Sequence, residues 1–120
     1  MKEVEEIKNL VVNALEDLKA VNLVVIDVRG KTSVADYMVI ASGTSDRHVK
    51  SLANNVIVET KKAGITLLGI EGEKVGEWVL VDLADVIVHV MLPQTRDFYQ
   101  LEKLWEPQAT EAVASVKVRS

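Results

Sequence analysis

Cysteine is absent from this 120-residue chain. Disulfide scaffolds, cysteine-ligated zinc and thiol nucleophiles are excluded together, and the absence fits a reducing cytosol. Histidine is scarce: His48 and His89 are the two, and neither has an acidic or histidine partner at ligand spacing, so no metal site is expected. Long apolar runs are missing as well. None approaches the roughly 20 residues that a membrane-spanning helix needs. The start, Met1-Lys2-Glu3-Val4-Glu5-Glu6, mixes both charge signs where a signal peptide would carry an apolar block. A soluble, cytoplasmic protein is the expectation. Repeats and linkers are lacking too, so the chain reads as one domain, large enough to hide about two thirds of its unfolded surface.

What is present is ordinary in amount and uneven in placement. Apolar residues make up 48% and charged residues 27%, the range of globular domains. Net charge is −4, yet residues 71–106 alone carry −5 and the remainder +1. That segment holds Glu71, Glu73, Glu77, Asp82, Asp85, Asp97, Glu102 and Glu106 against Lys74, Arg96 and Lys103. A negative segment repels phosphate backbones and steers toward basic partners. It argues against an RNA-binding module and against direct nucleic-acid contact.

Residues 3–19 read as an amphipathic helix, with Val4, Ile7, Leu10, Val11, Ala14, Leu15 and Leu18 on one face. The period then changes. Leu23–Val28 is a β-branched run closed by Arg29-Gly30-Lys31, and Tyr37–Ala41 is a second strand whose continuous apolarity suits a central position. Thr44 and Ser45 are cap candidates for a helix that buries Val49, Leu52, Ala53, Val56, Ile57 and Thr60. Lys61 and Lys62 favour its negative end, and Gly64 supplies a left-handed stop. Leu67–Ile70 is a short third strand, and Trp78–Met91 is two strands around a tight connection. Pro93 ends the last strand. Thr95 then caps a helix through Trp105, with Phe98, Leu101, Leu104 and Trp105 at helical spacing. The order α-β-β-α-β-β-β-α predicts an α/β (α+β) domain over 1–106: a mixed five-stranded sheet with helices mainly on one face. The 107–120 tail has weak patterning and is expected to be flexible.

If Leu83 and Ala84 form the hairpin loop, Asp82 faces Asp85, Val81 Val86, Leu80 Ile87, Val79 Val88 and Trp78 His89. Alternation then puts Val79, Val81, Val86, Val88 and Val90 on one face, as suits a helix-covered sheet. Trp78, Leu80, Ile87, His89 and Met91 share the other. Tryptophan, histidine and methionine are typical of protein contact surfaces. With three helices available, this second face is expected to be partly uncovered, and His89 half exposed.

Catalytic patterns are weaker. Ser42, Thr44 and Ser45 occupy a strand-to-helix turn but not a G-x-S-x-G elbow, and capping explains them. Ser42–Arg47 resembles an anion-binding turn, without the lysine of a P-loop or the spacing of G-x-G-x-x-G. Asp82 and Asp85 could hold Mg²⁺ for a nucleotidyltransferase; they are also ordinary turn residues.

Three stretches carry a resemblance. Asp36-Tyr37-Met38-Val39-Ile40-Ala41-Ser42-Gly43-Thr44-Ser45-Asp46-Arg47-His48-Val49 resembles the first signature of the ribosomal silencing factor, or Iojap, family. Glu71-Gly72 with Trp78–Asp82 and Asp85–Val90 is similar to the second, and Arg96–Trp105 to the closing helix. The resemblance runs from residue 3 to about 106. It implies a nucleotidyltransferase-like fold without a working active site or cofactor. It also implies binding to the fourteenth protein of the large ribosomal subunit, a block on small-subunit joining when nutrients are scarce, and homodimers of the free protein. Trp78, Asp82, Asp85, His89, Met91 and Tyr99 are the partner-binding residues it suggests. Ala84 departs from the glycine of many relatives, and alanine there is strained if the turn needs a positive φ.

Overall fold

The computed structural model describes residues 3–100 and Lys103. Its elements follow in the expected order: α1 (Val4–Asp17), β1 (Val21–Asp27), β2 (Tyr37–Ser42), α2 (Asp46–Lys62), β3 (Gly69–Glu71), β4 (Trp78–Asp82), β5 (Val86–Met91) and α3 (Pro93–Tyr99). The strands form one mixed sheet in the order β1-β2-β5-β4-β3. β2 and β5 pair in parallel at its centre, and the other neighbours are antiparallel. Every residue of both central strands is buried, which is why their sequences are apolar throughout rather than alternating.

α1 and α2 lie on the valine face. Ile7, Val11, Leu15, Val49, Leu52 and Val56 join Val79, Val81, Val86, Val88 and Val90 in one cluster. Its members are mostly 0% exposed, so this layer is the main hydrophobic contribution to stability. α2 starts at Ser45, whose hydroxyl accepts from the His48 N–H at 3.1 Å. The His48 ring ties two helices together: Nδ1 accepts from Thr44 N–H at 2.9 Å, leaving Nε2 to donate to the Leu18 carbonyl at 2.7 Å. Gly64 ends the segment at φ +80°, as its position predicts.

The hairpin register differs from the expected one. Trp78 opposes Met91, Leu80 opposes His89, Val81 opposes Val88 and Asp82 opposes Ile87. Leu83 is the reason. At 2% exposure it turns into the valine-face core, and its N–H donates to the Val86 carbonyl at 3.0 Å, so Leu83 continues the ladder and the turn falls one residue later, at Ala84 and Asp85. Asp85 is held elsewhere, its carbonyl accepting from the Asp36 and Tyr37 N–H groups at 2.8 and 3.1 Å. The offset is two residues, an even number, so every hairpin side chain keeps its predicted face.

The last helix also differs. Its N-cap is Leu92, without a side-chain cap, and Pro93 occupies the first turn where a missing N–H costs nothing. Thr95 therefore lies inside the helix rather than capping it. Gln100, at φ 48°, ends the helix after Tyr99, short of the expected Trp105. Leu101, Leu104, Trp105 and the 107–120 tail lie outside the described residues.

Ala84 at the hairpin tip has φ +73°, the left-handed conformation in which a Cβ is strained. We expect Ala84→Gly to raise stability by about 1 kcal/mol, read as a higher urea midpoint at unchanged slope. An equal or lower midpoint would show that the turn holds no such strain.

Candidate docking surface

Trp78 opens β4, and the loop before it closes tightly. Gly72 has φ +83°, and a Cβ there would sit 2.0 Å from the Trp78 carbonyl oxygen, so only glycine fits. From that fixed backbone the indole Nε1–H donates to His89 Nδ1 at 3.0 Å, with ring centroids 5.9 Å apart. On its other side Trp78 packs against Tyr99 at 5.0 Å, and Tyr99 meets Phe98 edge-on at 4.9 Å. The four rings run from the core to the surface: His89 is 5% exposed, Tyr99 56% and Phe98 80%.

The indole proton decides the histidine's state. Nδ1 accepts it, so His89 is the neutral tautomer carrying its proton on Nε2. Burial pushes its pKa down to about 4, because a charged imidazolium would have to leave water.

His89 is thus buried rather than half exposed, and Met91, at 0% exposure, lies beneath the surface rather than on it. The second face is covered at both ends by segments distant in sequence. Val28 and Ala35, from the β1–β2 connection, pack with Ile26, Met38 and Ile87. At the other end α3 is anchored by Arg96, whose Nη1 donates to Ser42 Oγ at 3.0 Å. What stays accessible is the outer row of β4. Trp78, Leu80 and Asp82 alternate there, all half-buried. The neighbouring β3 offers little cover, since Gly69 opposes Asp82 without a side chain and exposed Glu71 opposes Leu80.

The six predicted residues therefore separate into roles. Trp78 and Tyr99 touch one another at the surface, while His89 and Met91 support them from below. Asp82 shares their sheet face but stands four residues along β4, about 13 Å from Trp78 at ~3.3 Å per residue. Its carboxylate accepts from the Ala84 N–H at 2.9 Å, the part of a turn residue. Asp85 is exposed at the tip of the same turn. Among the described residues, no group of three or more histidine, aspartate or glutamate side chains could hold a metal ion. No described helix is long and apolar enough to cross a membrane.

Phe98 and Leu80 belong to the surface, though neither was among the six predicted partner-binding residues. Strand alternation did place Leu80 on this face, midway between Trp78 and Asp82. Phe98 was read only as one of a series at helical spacing with Leu101, Leu104 and Trp105; helical period cannot tell a core stripe from a docking stripe.

The family model described as "Ribosomal silencing factor during starvation" matches residues 1–120. A ribosomal silencing factor of Chromobacterium violaceum is 49% identical over 106 residues, covering 88% of this chain and 87% of that protein. A crystal structure of a C. violaceum protein superposes with a TM-score of 0.86 at 49% identity, over 87% of each chain. A mouse protein named "Mitochondrial assembly of ribosomal large subunit protein 1" is 35% identical over 100 residues, 81% of this chain and 44% of the longer relative.

The buried histidine makes a pH prediction. The folded pKa of about 4 lies below the ordinary 6.5, so as pH falls the unfolded chain takes up the proton first. The stability linked to His89 is complete above pH 6.5 and is lost as pH falls from there toward 4. Between pH 7 and 5 the loss should be about 2 kcal/mol, read from urea midpoints by tryptophan fluorescence. His89→Gln should flatten that dependence; an equal slope in the variant would assign it to other groups.

Proposed function

This chain belongs to the ribosomal silencing factor family, and from that premise we propose that it binds the large ribosomal subunit and sterically blocks small-subunit joining. The contact we assign is to the fourteenth protein of that subunit, at the face where the small subunit would dock, repressing translation under nutrient limitation. The observation that carries this reading is the ring series from buried His89 through Trp78 to exposed Tyr99 and Phe98. A large aromatic surface held rigid from below gives contact area at small entropic cost, which is the character of a binding hot spot.

Charge supports a basic protein as the partner. Glu71, Glu77 and Asp97 are exposed on the segments that frame the aromatic row, and Asp82 continues it. Acids at the rim speed encounter and orient a basic surface, while the apolar centre holds it. The mouse relative, by its name, serves assembly of a large subunit, which favours that subunit over the small one. The protein on this reading is a cytoplasmic steric repressor and not an enzyme. Asp82 is occupied as the acceptor of its own turn, which disfavours a Mg²⁺-dependent nucleotidyltransferase built on Asp82 and Asp85. The same half-buried β4 row would serve a homodimer of the free protein.

Purified large and small subunits, offered separately to the tagged protein, test the reading. We expect capture of the large subunit alone. Trp78→Ala, verified as folded, should weaken it by about 2 kcal/mol or more, and Phe98→Ala by a smaller amount. Met91→Ala should instead lower stability by about 2–5 kcal/mol, as for a cavity in a packed core. Capture of neither subunit, or of both equally, would count against the proposal.

A further inference from the structure

We propose, on the premise that the β4 row docks a protein of the large subunit, that Nε2 of His89 is the donor by which this surface recognises a carbonyl oxygen of the partner. The two histidines of the chain stand in contrast. In half-buried His48 both ring nitrogens are engaged: Nδ1 accepts from the Thr44 N–H at 2.9 Å and Nε2 donates to the Leu18 carbonyl at 2.7 Å. In His89, at 5% exposure, Nδ1 accepts from the Trp78 indole at 3.0 Å, and no described residue hydrogen-bonds to Nε2. The more deeply buried ring is the less satisfied one. Buried polar groups in folded proteins are nearly always paired, and leaving one unpaired is costly. An orphaned N–H beside a docking row therefore marks a place where the partner can supply what the fold does not.

Strand geometry puts this donor on the docking side. His89 lies on the second sheet face, directly opposite Leu80 on β4 and Ile40 on β2, with Ile87 and Met91 two residues to either side. Strand side chains stand out from the sheet, and Nε2 is at the end of the imidazole away from the backbone. Because Nδ1 is turned to Trp78, Nε2 lies on the far side of the ring from the indole. Trp78 and Leu80, beside it on β4, are half-buried members of the docking row, so a partner seated on that row comes within reach of the donor. The kind of acceptor follows from charge and burial. Burial alone pushes the His89 pKa down to about 4, so the ring that meets a partner is neutral. A carboxylate would lose its hydration among Leu80, Ile40 and Ile87 and gain no opposite charge in return. A carbonyl oxygen of the main chain or of an amide side chain is a neutral acceptor and suits a neutral N–H. A partner presenting an apolar group there would leave the donor unpaired, so this one position discriminates among partners.

Calorimetric titration of the full chain with the purified fourteenth protein of the large subunit, alongside NMR of the histidine-¹⁵N-labelled chain, tests the assignment. On binding we expect the His89 Nε2–H proton to move downfield and its exchange with water to slow. The His48 Nε2–H, already bonded to Leu18, should stay where it is. His89→Asn keeps an oxygen at the Nδ1 position for the Trp78 indole and removes the outer N–H. With the Trp78 indole signal in place, this variant should bind at least about five-fold more weakly, the scale of a buried acceptor left unpaired. Wild-type affinity in the variant, or an Nε2–H signal that binding leaves unchanged, would overturn the proposal while docking at Trp78 stands. No binding by the wild-type chain would overturn the docking reading, and the proposal with it. If His89→Asn fails to fold, the wild-type Nε2–H signal decides alone.

Discussion

The parallel pairing of β2 with β5 is the constraint on which the rest of this structure depends. Tyr37 through Ser42 run beside Val86 through Met91 in unbroken register, and all twelve residues are buried. Two parallel strands cannot be joined by a hairpin, so the intervening chain must supply a crossover. That chain is α2, β3 and β4, and it has to cover one face while returning along the edge. α1 and α2 fill the valine face. The other face is closed piecemeal, by the β1–β2 connection at one end and α3 at the other. The β4 row lies at the margin of both covers, half-buried, with α3 touching it where Tyr99 packs on Trp78.

Much of this was legible in the residues. Element types and order follow from period, and the two apolar faces of the hairpin follow from alternation. The faces held even though the register did not. Leu83 was placed in a loop because the Asp82–Asp85 spacing suggests a tight turn, whereas the apolar side chain is drawn into the core and moves the turn one residue along the chain. Two pairings that differ by two residues bury the same side chains, so hydrophobic pattern alone does not separate them. The burial of His89 and Met91 was not readable. It depends on Val28, Ala35 and α3, segments far away in the chain, and local pattern says nothing about what folds over a face. At α3, Thr95 carried a good cap signal, yet Pro93 begins the helix earlier with its ring already at helical φ.

The same long-range packing explains why Trp78 suits a docking role. Gly72 fixes its backbone, His89 accepts its indole proton, and Tyr99 packs on its ring. A side chain ordered in advance loses little freedom on binding, so more of its buried area becomes affinity. Membership of the ribosomal silencing factor family places the chain in translational control, and this surface is the contact we propose for it. The physical features, a rigid aromatic centre and acidic flanks, are those expected of a steric adaptor rather than of a reaction centre.

Steric blocking is the central claim, and subunit joining measured by light scattering tests it most directly. Purified large subunits would be pre-incubated with the protein before small subunits are added. The account predicts that the joining signal falls in proportion to the fraction of large subunit occupied and approaches zero at saturation. Normal joining by large subunits shown to be fully occupied would contradict it, because the bound protein would then lie away from the face where the small subunit docks.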